Sequence, residues 1–222
     1  MSIRLAVSVE GQTEERFVKV VLAPHLAGFR IWATPVIVAT SRSAAGTKAK
    51  GGGINLDRVV GELRRLRFDY RDGFVTSLYD FYGFRDRQPG EDVAALELRI
   101  AQRLGSPPNL IPYVQLHEFE GLLLSDPAMV AAYFKAPALE TLVASAVARA
   151  GSPERVNDGP NTAPSKRLEE WTREHAPPLL RYTARTKLLH APQFADHLKL
   201  PVIRAACARF DDWVSRLERL RR

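Results

Sequence analysis

Acidic residues close three of the apolar runs in this chain. "LAVSVEG" ends on Glu10 and Gly11, "GFVTSLYD" ends on Asp80, and "LIPYVQLHEFE" ends in His117, Glu118 and Glu120. Carboxylates gathered in one place repel one another unless a cation sits among them. Hard oxygen donors of this kind suit Mg²⁺ or Mn²⁺. Such an ion polarises a phosphoryl oxygen and generates a hydroxide nucleophile. Glu10, Asp80, Glu118 and Glu120 are therefore candidate metal ligands, the first three also candidate catalytic groups, and Gly11 would let the chain turn tightly beside a phosphate. Taken singly, each acid fits a helix cap or a solvated turn equally well. It is the repetition at three strand ends that points to chemistry, and it requires those ends to meet. His117 could ligate a metal or orient a carboxylate; alone it fits a half-buried histidine with one satisfied hydrogen bond better.

A second set of residues could hold phosphate. In "NTAPSKRL", Lys166 and Arg167 follow Ser165, which resembles an N-cap, and a helix N-terminus with two cations is a natural anion site. "YTARTKLLH" adds Arg185 and Lys187, "SRSAAGTKAKGGG" carries Lys48 and Lys50, and "FYGFRDRQPG" carries Arg85. Lys48, Lys50, Arg85, Arg167 and Arg185 are the candidate nucleic-acid contacts. The same bases would serve a solvated helix start or an ordinary surface loop. Tyr79, Phe81, Tyr82 and Phe84 flank Asp80; exposed, they would stack on bases, and buried they would simply pack.

The elements that must bring these groups together are legible from hydrophobic periodicity. "IRLAVSV", "IWATPVIVAT", "GFVTSLYD" and "LIPYVQLHEFE" read as strands. "TEERFVKVVLAPHL" reads as a helix with Thr13 as N-cap and Pro24 disturbing its end. "INLDRVVGELRRLRF" and "EDVAALELRIAQRLG" place apolar residues on one helical stripe each. "SDPAMVAAYF" starts a helix with Asp126 as N-cap and Pro127 at the first position. From about residue 137 onward the pattern is helical and loop-like. Strand–helix alternation followed by helices predicts a mostly parallel α/β sheet flanked by helices, with a core over 1–136 and a helical C-terminal lobe over 137–222 packed on it as one unit. In such sheets ligands bind outside the carboxyl ends of the strands, and alternation along a fourth strand would put Glu118 and Glu120 on one side with Phe119 opposite.

Bulk composition narrows the function class. With 45 % apolar and 26 % charged residues the chain is an ordinary globular sequence. A formal charge of +7 and a pI near 9.8 favour a polyanionic partner, DNA or RNA. Residues 41–71 hold eight Lys/Arg against three Asp/Glu. Cys207 is the single cysteine, so an intrachain disulfide and a cysteine zinc cluster are excluded. Cytoplasm is the default compartment. The start, "MSIRLAVSVEG", does not resemble a signal peptide, and no run is long enough to span a bilayer. Dinucleotide-binding, Walker-type and GxSxG signatures are absent.

Four segments in order, "VSVEGQTEERF", "VTSLYDFYGF", "QLHEFEGLLLSD" and "NDGPNTAPSKRL", resemble the bacterial family called domain of unknown function 4276. That family is related to Toprim nucleases of the OLD (overcoming lysogenisation defect) type. The resemblance implies a Toprim-like fold and Mg²⁺-dependent phosphodiester chemistry. Glu10 would match the general acid/base or metal-site glutamate, and Asp80 the first aspartate of an Asp-x-Asp motif. Tyr82 stands where the second aspartate would be, so Glu118, Glu120 or Asp86 would have to supply the missing ligand. Lys166 or Lys187 would neutralise the cleaved phosphate, with Gly11, Glu14, Tyr82 and His117 as supporting neighbours. Relatives associated with ABC- or AAA-type ATPases in phage defence imply such a partner. Two expectations stand: a metal-dependent nuclease, or a non-catalytic subunit that binds nucleic acid or an ATPase through a degenerate site. A primase or topoisomerase fragment ranks last, because the chain is small and no tyrosine stands out as a nucleophile.

Overall fold

A strand that is apolar along nearly its whole length can satisfy both its faces only in the middle of a parallel sheet. That is where the computed structural model, which describes residues 2–38, 54–157, 162–183, 186, 190, 193–194 and 196–220, places β1 (Ile3–Val9). β2 (Ile31–Ile37) runs parallel on one side, pairing Ile3 with Ile31 and Val9 with Ile37. β3 (Phe74–Asp80) runs parallel on the other, pairing Leu5 with Phe74 and Val9 with Leu78. β3 in turn pairs with two short parallel segments, β4 (Leu110–Ile111) and β5 (Val114–Gln115). The order is β2-β1-β3-β4, with β5 also on β3. Pro35 is tolerated in β2 because that strand pairs only with β1 and forms the edge.

Helices cover both faces, as the strand–helix alternation predicts. After β1, α1 (Gln12–Phe17) passes through a π turn, Val18–Leu22, into α2 (Ala23–Ala27). The widened turn comes just before Pro24, which has no amide to donate. α3 (Leu56–Asp69) is capped by Asn55, whose side chain accepts the Arg58 N–H at 2.9 Å. α4 (Val93–Arg103) is capped by Asp92, which accepts the Ala95 N–H at 2.8 Å. Both lie on the face that buries Ala6, Val75 and Tyr79. On the opposite face, one buried cluster runs from Ile3 to Leu220 and joins β1 to the C-terminal helices. Trp213, in the last helix (Ala208–Glu218), donates its Nε1–H to Thr76 Oγ1 at 2.9 Å and stacks on Tyr113 at 4.5 Å. Between these ends lie α5 (Glu120–Leu123), α6 (Pro127–Tyr133), α7 (Ala138–Ala150), α8 (Pro164–His175) and the helix Leu200–Ala206. Asp126 caps α6 on the Met129 N–H at 3.0 Å, with Pro127 at its first position as expected. Among the described residues no helix is long and apolar enough to cross a membrane.

Two expectations need correction. The N-cap of α1 is Gly11, not Thr13, which is buried within the first turn. The long fourth strand does not form. Pro112, lacking an N–H for the ladder, separates β4 from β5, and beyond Gln115 the chain leaves the sheet and turns through His117 at φ +65. Glu118 and Glu120 therefore do not alternate along a strand; Glu120 opens α5 instead.

The chain leaves β1 toward β2 and then crosses back to β3, so the direction of winding reverses between β1 and β3. Their carboxyl ends form the crevice where open α/β sheets bind ligands.

The C-terminal half also buries a histidine. His190 is only 3 % exposed, its ring packs against Tyr133 and Phe134, and its Nδ1 lies 3.2 Å from the Tyr133 hydroxyl. Burial lowers its pKa, whereas unfolded histidine titrates near ~6.5. The unfolded state therefore binds more protons below that value, and stability falls as pH drops through it toward the lowered folded pKa. The urea midpoint should be lower at pH 5.5 than at pH 7.5, and the drop should shrink in His190→Phe; an equal drop in that variant would contradict the burial account.

Candidate nucleic-acid and metal site

The register that pairs Val9 with Leu78 sets Glu10 and Asp80 on neighbouring strand tips, as the sequence pattern requires. Their side chains settle on different partners. The Glu10 carboxylate lies against the turn after β3: a Cβ on Gly83 would fall 2.5 Å from Glu10 Oε2, so a larger residue there would push the carboxylate aside. Asp80 Oδ1 accepts the Phe119 N–H at 2.7 Å. Beside it, the Tyr82 N–H donates to the His117 carbonyl at 3.1 Å, and the two rings lie 5.2 Å apart. The Phe81–Gly83 turn and the 117–119 segment are thus bound to each other across the carboxyl edge.

Glu118 and Glu120 diverge from there. Glu118 Oε2 accepts the Ser165 N–H at 3.0 Å, at the start of α8. The α8 N-cap is Ala163, with Pro164 first in the helix, so Ser165 is a first-turn residue rather than the cap. Glu120 is 1 % exposed and accepts the Tyr182 hydroxyl at 2.7 Å. Tyr182 is fixed by its own N–H, which donates to Thr172 Oγ1 of α8 at 2.8 Å. Burial, then the charges of Glu120, Glu118 and Asp80, push the Tyr182 pKa well above its ordinary value. Of the sequence-predicted acids, Glu120 is the one bonded to this hydroxyl.

Next to them opens a cleft of about 370 Å³ lined by Tyr82, Arg87, Glu118, Ala163 and Lys166. The Arg87 guanidinium lies 4.5 Å from the Phe81 ring centre and 5.4 Å from that of Tyr82, and its Nε–H donates to the Phe84 carbonyl at 3.1 Å. Lys166 Nζ reaches Glu169 of its own helix at 3.1 Å. The Asn157 side-chain amide donates to the Tyr82 hydroxyl. Burial lowers the His117 pKa, and Arg87 lowers it further, so this imidazole is neutral at pH 7 and adds no positive charge.

The remaining candidates have other roles or lie elsewhere. The Gly11 N–H donates to Glu14 Oε2 at 2.9 Å, which makes this pair a helix cap rather than a phosphate turn and its support. Asp86 accepts the Leu56 N–H at the start of α3, at 2.9 Å through Oδ2. Arg167 donates through Nε to the Thr162 carbonyl at 2.9 Å and leans over Trp171. Arg85 is exposed and is not among the residues lining the cleft, where Arg87 stands instead. Lys48, Lys50, Arg185 and Lys187 lie outside the described residues. Sequence reasoning missed Gly83, Arg87, Asn157 and Tyr182. Only the proximity of "YGFRDR" to Asp80 pointed toward the first two.

Asp80, Glu118 and Glu120 each accept a protein hydrogen bond through one carboxylate oxygen. Among the described residues, no group of three or more His, Cys, Asp or Glu side chains is arranged to hold a metal ion. The residues as they stand do not fit a Mg²⁺ or Mn²⁺ centre.

A family model described as "Domain of unknown function (DUF4276)" matches residues 9–218. No curated protein and no solved structure matches the chain.

The Tyr182–Glu120 bond can be tested alone. Removing the hydroxyl leaves a buried carboxylate short of one donor, a loss of about 1–3 kcal/mol. Tyr182→Phe should lower the urea unfolding free energy by that amount, and a change near zero would show that the contact does not hold α8 to the sheet edge.

Proposed function

The chain belongs to this family, whose description names no activity, and we propose that it is a nucleic-acid-binding protein that grips a sugar-phosphate backbone at the carboxyl edge of its sheet. The observation that carries this reading is the cleft itself, where Arg87 and Lys166 stand beside the ring of Tyr82. Cations that track phosphates and an aromatic face that stacks on a base are what single-stranded nucleic acid requires. A formal charge of +7 supplies long-range attraction for a polyanion.

A second reading, phosphodiester cleavage by a protein of the Toprim/OLD nuclease kind, is favoured by one specific observation. Asp80 holds the Phe119 amide, and Glu118, one residue before it, lines the cleft and holds the Ser165 amide, so acids and cleft occupy one edge. Among the described residues these acids do not form a group of three that could hold Mg²⁺. No step through a metal is derived from the arrangement at hand.

Binding and cleavage separate experimentally. In EDTA, fluorescence anisotropy with single-stranded DNA and RNA should show salt-dependent binding by the wild type. Arg87→Ala should weaken it and reduce the slope of log K against log salt by about 0.7, one phosphate contact on a single strand. An unchanged slope would remove the cleft from the reading. With Mg²⁺ or Mn²⁺ added, plasmid, single-stranded DNA and tRNA test cleavage. Loss of cleavage in Asp80→Asn with binding retained supports the second reading, and cleavage that survives both Asp80→Asn and Glu10→Gln excludes it.

A further inference from the structure

The cleft contains an anion of its own. Glu118 lines it together with Arg87 and Lys166, and its Oε2 is held by a backbone amide 47 positions away, that of Ser165. Among the described residues neither cation forms an ion pair with it. Lys166 turns to Glu169, and Arg87 spends its Nε–H on the Phe84 carbonyl with its guanidinium over two rings. Glu118 nonetheless shares the cleft lining with Tyr82, whose hydroxyl pKa is raised by burial first and by the Glu118 charge as well. The cleft therefore holds two cations not neutralised by Glu118 and one carboxylate fixed by an amide. A phosphate entering to meet the cations meets that carboxylate as well.

We infer that Glu118 is an internal competitor for phosphate: in the free protein it holds the Ser165 amide at the start of α8 and sets a negative charge beside Arg87 and Lys166, and it gives that amide up when a nucleic-acid backbone binds. The inference rests on the nucleic-acid-binding reading and deepens it, because it assigns Glu118 to control of binding rather than to holding a metal. The neutral isostere distinguishes these roles. Glu118→Gln keeps an oxygen that can accept the Ser165 N–H but removes the charge that opposes phosphate.

The test is anisotropy with a fluorescent single-stranded RNA, in EDTA, for wild type, Glu118→Gln, Glu118→Ala and Arg87→Ala, with circular dichroism melts to establish that each variant is folded. Glu118→Gln should bind about fivefold more tightly, the upper end for a charge contact of this exposure, and Glu118→Ala should follow it if folded. Wild-type binding that Arg87→Ala weakens but Glu118→Gln leaves equal or weaker overturns the competitor role and keeps the binding reading. No binding by the wild type and no binding by Glu118→Gln overturns both.

Discussion

One hydrogen bond decides what the carboxyl edge of this protein can be. The Asp80 side chain, at the tip of β3, accepts the amide of Phe119 at 2.7 Å. β3 is the strand that touches both sheet neighbours and both buried clusters, so its tip is among the firmest points of the molecule. The bond carries that firmness to a segment that has just left the sheet. From Phe119 the chain enters α5 through Glu120, while Glu118, one residue earlier, faces α8. A buried or half-buried charge–amide bond of this kind is costly to break, because the carboxylate would lose its donor before regaining water. The same bond that assembles the edge thus fixes where the Asp80 carboxylate sits.

How much of this was written locally in the chain follows from the range of the interactions. β1, β3, α3 and α4 are governed by near-neighbour periodicity and by caps three residues away, and all were legible. The tips of β1 and β3 were legible for the same reason, since an apolar run must end where burial ends. The fate of Glu118 and Glu120 was not. Each is decided by a partner 47 or 62 positions away; the break in the fourth strand, by contrast, had a local sign in Pro112, which cannot donate to a ladder. Gly83 was unreadable as a site residue because its role is to be absent: the Glu10 carboxylate fills the space its side chain would take. Glu14, read in sequence as an acid suited to a helix start, does close α1, and Asp86, offered as a possible ligand, accepts the first amide of α3.

Buried carboxylates elsewhere obey the same rule, which makes the edge less exceptional. Glu154 is 3 % exposed and accepts the amides of Arg209 and Phe210, at 3.0 and 3.2 Å, at the start of the last helix. Glu97 accepts the Val114 amide and the Arg209 guanidinium, both at 2.8 Å. In both, burial pushes the pKa up while these donors pull it back. This chain repeatedly uses acids as long-range caps that pin one element to another. Asp80, at the tip of β3, and Glu118, beyond the end of the sheet, belong to that pattern.

Function then turns on which charges remain after architecture has taken its share. Interactions between exposed charges fade over about 8–10 Å at physiological salt, so the formal +7 governs approach, whereas the residues at the cleft govern what stays. There, Lys166 is paired with Glu169 of its own helix, whereas Arg87 meets a carbonyl and two aromatic rings, beside a Glu118 carboxylate whose hydrogen-bond partner is a neutral amide.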